Sequence, residues 1–127
     1  MIHAFDSASW ARALSMPLDP ELTALLTARR RLLEADGLLD MTDVVVVTAV
    51  TTEADLVEAI GWAPLTDPDG RRHDEPAFVQ PFDYIYRASR NYHIAVQIVG
   101  NAGHAFELIV ADTANPALVA LCREQAA

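Results

Sequence analysis

The sequence predicts an α+β domain: an antiparallel β-meander of three C-terminal strands plus one earlier valine-rich strand, packed on one face by helices. Three observations support this prediction. Four consecutive valines stand at 44–47, three strand-length apolar segments follow one another between residues 82 and 112, and leucines recur at helical spacing in the first third of the chain. Strands that are close in sequence pair as a meander, and helices then cover its apolar face. The expected order is α-α-β-α-β-β-β-α in a single domain of residues 1–127.

Residues that favour helix ends delimit four predicted helices. Asp19 and Pro20 match the N-cap and first-turn positions of a long second helix, and Gly37 can end it. Thr52 followed three residues later by Asp55 resembles a capping box. The helices are expected over residues 7–16, 20–36 and 53–60, and from residue 116 onward.

The stretch "DVVVVTAVT", residues 43–51, is the clearest predicted strand. Its valines are β-branched and apolar on both faces, which is typical of a strand covered on both sides. Three further strands are predicted at residues 82–88, 92–99 and 105–112. The connectors between them are short enough for hairpins.

Apolar pairing predicts the register of the last two strands. If Val96 faces Leu108, apolar residues meet across the hairpin, whereas a slip of one residue sets Val96 against Glu107. The favoured register places Asp83, Gln97 and Glu107 in one cross-strand row on a half-polar face. Two carboxylates on one sheet face could serve as a general acid and base, or could simply be solvated.

The opposite face of the predicted meander is aromatic and aliphatic. The same pairing argument sets Tyr84 opposite Val96 and Tyr86 opposite Ile94. This face is therefore expected to form the core or to line a pocket beneath the helices.

The charge balance restricts the classes of partner. The chain has nine basic residues, all arginine, against 18 acidic residues, which gives a formal net charge of −9. Nucleic acids and anionic membranes are bound through clusters of basic residues, so neither is an expected partner. A protein with a basic surface is compatible with this charge, which also serves solubility.

Cysteine content and hydropathy indicate a cytoplasmic protein. A single cysteine, Cys122, permits no internal disulfide. The first residues lack the pattern of a secretory signal, and no stretch reaches the ~18 apolar residues of a membrane span.

The segment "DPDGRRHDE", residues 67–75, concentrates four carboxylates in the longest predicted loop, residues 62–81. A calcium loop needs its glycine at the sixth position, but here Gly70 comes fourth. Asp67 to Gly70 instead match a β-turn. The loop is either a solvated turn or a segment that contacts a ligand or partner.

Motifs for catalysis and metal binding are not found. The chain has no H-x-x-x-H or C-x-x-C spacing and no G-x-S-x-G elbow. Cys122 falls on the apolar stripe of the last helix, which favours a buried inert thiol. The sequence therefore predicts no cofactor, no metal and no catalytic residue.

The favoured hypothesis is a small protein-binding domain of the inhibitor, immunity or assembly type without catalytic activity. Its predicted partner contacts are Asp67, Asp69, Asp74, Glu75, Asp83 and Glu107.

Two alternatives remain open at this point. One is a small-molecule-binding or enzymatic α+β cone with a pocket between sheet and helices, for which the candidate residues are Tyr84, Tyr86, Asp83 and His93. The other is a homodimer that pairs through residues 105–112, if that last strand forms an edge of the sheet.

Overall fold

The computed structural model describes residues 1–100 and 103–126. Within these residues the fold is α+β, with four α-helices, one short 3-10 helix and a five-stranded mixed sheet. The strands are β1 (Ile2–Ala4), β2 (Thr42–Val47), β3 (Tyr84–Ser89), β4 (Tyr92–Val99) and β5 (His104–Ala111). The helices are α1 (Ser7–Leu14), α2 (Pro20–Ala35), α3 (Glu53–Ile60) and α4 (Pro116–Ala126), and the 3-10 turn is Leu39–Met41.

The sheet has the strand order β1-β2-β5-β4-β3. The three C-terminal strands are antiparallel neighbours, β3 with β4 and β4 with β5. However, β2 pairs with β5 in parallel, and the unpredicted β1 pairs with β2. The expected strand 105–112 is thus the centre of the sheet and not an edge, so a homodimer cannot form through it.

Helices cover both faces of the sheet, so the prediction that they pack on one face is wrong. On one face, which we call the α1/α2 face, Trp10, Leu26 and Leu33 pack against Val44, Val46 and Ile94. On the opposite face, the α3/α4 face, Leu56, Ile60 and Leu118 pack against Val45, Val47 and Leu108. The physical reason is the valine run, because a strand that is apolar on both faces needs cover on both sides.

The predicted register of the last hairpin is wrong by one residue. Val96 lies opposite Glu107, and Gln97 lies opposite Phe106. Because both faces are buried, matching apolar residues on a single face does not decide the register. The β3–β4 register agrees with the prediction, with Tyr84 opposite Val96. Glu107 and Gln97 therefore point to opposite faces, and the row with Asp83 does not form.

Local capping explains where the helices begin. The Asp19 carboxylate accepts a hydrogen bond from Leu22 N at 2.8 Å. Thr52 and Asp55 form the reciprocal bonds of a capping box, at 2.9 and 3.1 Å. Gly61 ends α3 in the left-handed conformation that glycine adopts most easily. No helix among the described residues is both long and apolar enough to cross a membrane.

Candidate functional site

Asp67 organises the long loop between α3 and β3. Its side chain is 1 % exposed, and its Oδ1 accepts hydrogen bonds from Asp69 N at 3.1 Å and Arg71 N at 2.8 Å. Its Oδ2 accepts from Val79 N at 3.2 Å. Burial opposes ionisation of this carboxyl, but the backbone donors from Arg71 and Val79 and the Arg71 charge outweigh it, so the pKa of Asp67 lies below its usual value. One buried carboxylate thereby links Asp69, Arg71 and Val79 of the segment 67–79.

The acidic side chains that follow lie on the surface of this segment. Asp69, Asp74 and Glu75 are all exposed. Asp69 forms an ion pair with Arg71 at 2.9 Å, and Glu75 accepts a hydrogen bond from Arg72 N at 3.2 Å. The 67–79 segment thus presents three of the six predicted contact residues together, while Asp67 itself is buried beneath them.

A pocket of about 320 Å³ lies beside this segment. Its lining includes Trp62, Pro68, Pro81 and Gln97. The indole of Trp62 packs edge-on against Phe82, with ring centroids 5.6 Å apart, which fixes its orientation. Trp62 Nε1 is buried and has no hydrogen-bond partner among the described residues. The pocket therefore offers an apolar surface where the 67–79 segment begins, since Asp67 and Pro68 are part of its lining.

The two predicted contact residues on the sheet lie apart from each other. Asp83 is exposed just before β3, and its Oδ2 accepts from Ile98 N at 2.6 Å. Glu107 is buried on the α1/α2 face, where its Oε1 accepts from Arg29 Nη2. Glu107 is therefore buried beneath α2 and is not available as a contact for a macromolecular partner. Sequence patterns gave no signal for Arg29, because it lies 78 residues away.

The residues of the alternative pocket do not converge. Tyr84 and Tyr86 stack on the α1/α2 face with ring centroids 6.3 Å apart. His93 lies on the opposite face, is 2 % exposed, and has its Nδ1 3.6 Å from Asp112 Oδ1. Burial, with the nearby Arg87 charge, lowers the pKa of His93 against the opposing effect of Asp112. His93 is thus a buried side chain that the tyrosines cannot reach.

A smaller groove does form next to the tyrosines, between the end of α2 and the sheet. It encloses about 240 Å³ and is lined by Leu33, Tyr84, Val96, Ile98 and the Arg29–Glu107 ion pair, among others. Glu107 Oε2 is buried and lacks a hydrogen-bond partner among the described residues.

A further polar cluster joins three strands at one end of the sheet. Asp43 accepts from His3 Nε2 at 2.6 Å through Oδ1 and contacts His104 Nε2 at 2.8 Å through Oδ2. Sequence spacing gave no signal for it, because the three residues come from β1, β2 and β5. In the part of the chain that the structure describes, no group of three His, Cys, Asp or Glu residues is placed to hold a metal ion.

A cleft of about 570 Å³ is lined by Asp19, Glu21 and Asp112, among others, near the start of α2. Two of these carboxylates already serve the fold. Asp19 caps α2 and accepts from the Tyr92 hydroxyl at 2.9 Å. Glu21 accepts from Ser89 Oγ and from Asn91. The cleft is therefore an acidic surface whose groups stabilise the β3–β4 turn.

Comparison of the chain with models of protein families, with curated proteins and with solved structures finds no match in any of the three.

Proposed function

We propose that this chain is a small binding domain for a protein partner with a basic surface, and that the 67–79 segment is its contact surface. The observation that carries the proposal is the buried Asp67 carboxylate, which holds backbone N–H groups of Asp69, Arg71 and Val79. A loop without regular secondary structure is thereby given one defined shape.

An ordered loop favours binding for a thermodynamic reason. Association loses about 0.5–1.5 kcal/mol for each flexible side chain that becomes fixed, and loop ordering adds to this loss. A loop that is already ordered before binding avoids the cost of loop ordering. Ala77, at φ 63°, holds a left-handed conformation that non-glycine residues rarely adopt. Such strained positions cluster at functional sites.

The charge of the segment selects the partner. Residues 67–75 contain four carboxylates against two arginines, and Asp69 is already paired with Arg71. Asp74 and Glu75 form no ion pair with the described residues, and the segment has two more carboxylates than arginines. Charges of this kind at the edge of an interface increase the association rate and its dependence on salt more than they increase affinity.

The pocket beside the segment supplies the apolar part of the surface. Interfaces place an aromatic anchor at the centre and charged groups around it. Trp62 is the candidate anchor, because it lines the same pocket as Pro68, which directly precedes the exposed Asp69 in the segment. The proposed partner thus combines basic residues with one apolar side chain that enters the pocket.

The test compares two triple variants with the same charge change. One carries Asp69→Asn, Asp74→Asn and Glu75→Gln, and the control carries Asp36→Asn, Asp40→Asn and Glu124→Gln at exposed positions elsewhere. Each protein is immobilised and exposed to lysate of the cells that express it, at low and high salt. The captured protein is then purified and its association rate is measured by surface plasmon resonance.

The first variant is expected to associate roughly tenfold more slowly than the wild type, with a weaker salt dependence. The control should keep most of the wild-type rate. Equal rates for the first variant and the wild type, or capture of an acidic protein, would contradict the proposal.

A small-molecule site is the second candidate, and the groove at Glu107 favours it. A buried carboxylate oxygen without a hydrogen-bond partner can receive a donor from a ligand. The groove of about 240 Å³ is below the usual range of ligand pockets, so we place this function second. A thermal-stability screen with polar small molecules tests it, using Glu107→Gln as the variant that should lose any stabilisation.

A further inference from the structure

The outer edge of β3 is unpaired in the described part of the sheet. β3 is the last strand in the order β1-β2-β5-β4-β3 and spans six residues, whereas β1 at the other edge spans three. An edge strand directs the N–H and C=O groups of every second residue outward, where another strand can pair with them. β3 is therefore the longer of the two edges open to such pairing.

The sequence of this edge is complementary to itself. Residues 83–87 read Asp-Tyr-Ile-Tyr-Arg. We propose that a second copy of this chain pairs with β3 in antiparallel orientation, across a twofold axis at Ile85. This register sets Asp83 opposite Arg87 of the second copy, and Tyr84 opposite Tyr86 of the second copy. Both pairs recur on the other side of the axis, because such an interface is isologous.

The side chains required for this pairing are accessible. Tyr84 is 51 % exposed and Tyr86 is 37 % exposed. Asp83 is exposed as well, and its bond to Ile98 N of β4 uses Oδ2, so Oδ1 is the oxygen that would accept from Arg87 of the second copy. The Arg87 side chain is 43 % exposed. The hydrogen bonds that the described residues make to its guanidinium all use Nη1, towards Ser89 O, Arg90 O and Asp112 Oδ2. The other guanidinium donors can therefore reach a carboxylate across the axis.

Charge complementarity selects this register over its neighbours. Cross-strand aromatic pairs and opposite-charge pairs each contribute about 0.2–1 kcal/mol. A shift of the pairing by two residues leaves one tyrosine pair, Tyr84 with Tyr84 or Tyr86 with Tyr86 across the axis, and separates both Asp83–Arg87 pairs. In the proposed register, two aromatic pairs and two ion pairs form together.

The dimer is expected to be weak. Two short strand edges bury less surface than the ~1,600 Å² of a standard interface, and each copy carries a formal charge of −9. At 0.15 M salt the Debye length is about 8 Å, so the overall repulsion is screened while contacts at the axis persist. The proposal does not depend on the 67–79 segment, although a dimer would present two copies of it.

The test uses two charge-reversal variants. Each variant should repel a second copy of itself at the axis, and the two variants should attract each other. Asp83→Arg places two arginines opposite each other across the axis, and Arg87→Asp places two aspartates opposite each other. In a mixture of the two variants, each arginine faces an aspartate. Sedimentation velocity is measured from about 5 to 300 µM at 0.15 M salt for the wild type, each variant and the equimolar mixture, with circular dichroism to check folding.

The expected result is a concentration-dependent dimer for the wild type, monomers for each variant alone, and a heterodimer in the mixture. The matched controls Arg31→Asp and Asp40→Arg change charge at exposed positions away from β3 and should dimerise as the wild type does. A wild type that stays monomeric at 300 µM overturns the proposal. So does a mixture of folded variants that remains monomeric.

If either variant is unfolded, Tyr84→Ser replaces it in the test. Loss of the cross-axis aromatic pairs should then weaken the dimer at least fivefold, and an unchanged dissociation constant also overturns the proposal.

Discussion

Replacing Arg29 with methionine tests the buried ion pair between α2 and β5. The Glu107 side chain is 4 % exposed, and Arg29 is its ion-pair partner. Methionine retains most of the apolar stem of the arginine but leaves the Glu107 carboxylate buried without a counter-charge. Removing one member of a buried pair costs about 3–5 kcal/mol. For a domain of this size, 1 kcal/mol corresponds to roughly 3–5 °C. We therefore expect Arg29→Met to unfold roughly 10–20 °C below the wild type.

The double variant Arg29→Met, Glu107→Leu completes the cycle. It removes both charges and places apolar side chains between α2 and the sheet, which is often neutral or stabilising. Urea unfolding at pH 7 should therefore show the double variant to be more stable than Arg29→Met alone, with a coupling energy of about 2–3 kcal/mol. The reasoning is refuted if Arg29→Met is as stable as the wild type, or if the double variant loses the sum of the stability losses of Arg29→Met and Glu107→Leu, each measured as a single variant.

Three further predictions concern single side chains. Asp67→Ala should lower the melting temperature by several degrees more than Asp69→Ala, measured by circular dichroism. Since the pKa of Asp67 is lowered in the folded state, its contribution is present above the unfolded value of about 3.9 and is lost as pH falls through the folded value. The difference between wild type and Asp67→Ala should therefore shrink below pH 4, and a constant difference would be inconsistent with this account. Burial raises the pKa of the Cys122 thiol to about 11, so a thiol reagent at pH 8 should modify it at least 100-fold more slowly in the folded protein than in urea; equal rates would contradict its burial. Burial and the Asp19 hydrogen bond raise the pKa of Tyr92 to about 12, so ultraviolet titration should show a tyrosine that ionises near pH 12 and that Tyr92→Phe removes; an unchanged transition near pH 12 in that variant would reject the assignment.

Local signals in the sequence predicted the elements better than their arrangement. The caps at Asp19 and Thr52 and the glycine at the end of α3 act within a few residues, and the helices begin and end close to them. The valine run also predicted a strand covered on both sides, and the helices packed on both faces of β2 confirm this. β1 was missed because three residues are too few to form a periodic pattern.

The register of β5 could not be predicted from apolar matching. Placing Glu107 on a buried face is unfavourable unless a cation accompanies it, and that cation, Arg29, is supplied by a helix far away in sequence. Once this pair exists, the register that opposes Val96 to Glu107 becomes acceptable. Long-range pairs of this kind are not visible in strand patterns.

The sequence identified the acidic residues of the candidate site but not the hydrogen bonds that hold its loop. The sequence identified the acids of residues 67–75, and three of them are exposed. It treated Asp67 as one more surface contact, whereas the folded loop directs three backbone N–H groups at it. One of those donors comes from Val79, twelve residues away, and only the closed loop brings it there.

The central position of β5 has a consequence for how the chain folds during synthesis. β2 finds its parallel partner about 60 residues later, because Thr42 pairs with Ala105 and Val47 with Val110. Contacts this distant in sequence slow folding. Until β5 has been synthesised, the valine-rich β2 lacks its neighbour on the side away from β1, and such unpaired edges are prone to aggregation. The nascent sheet therefore closes only when β5 emerges and inserts between β2 and β4, so the protection of the first half of the chain depends on its last quarter.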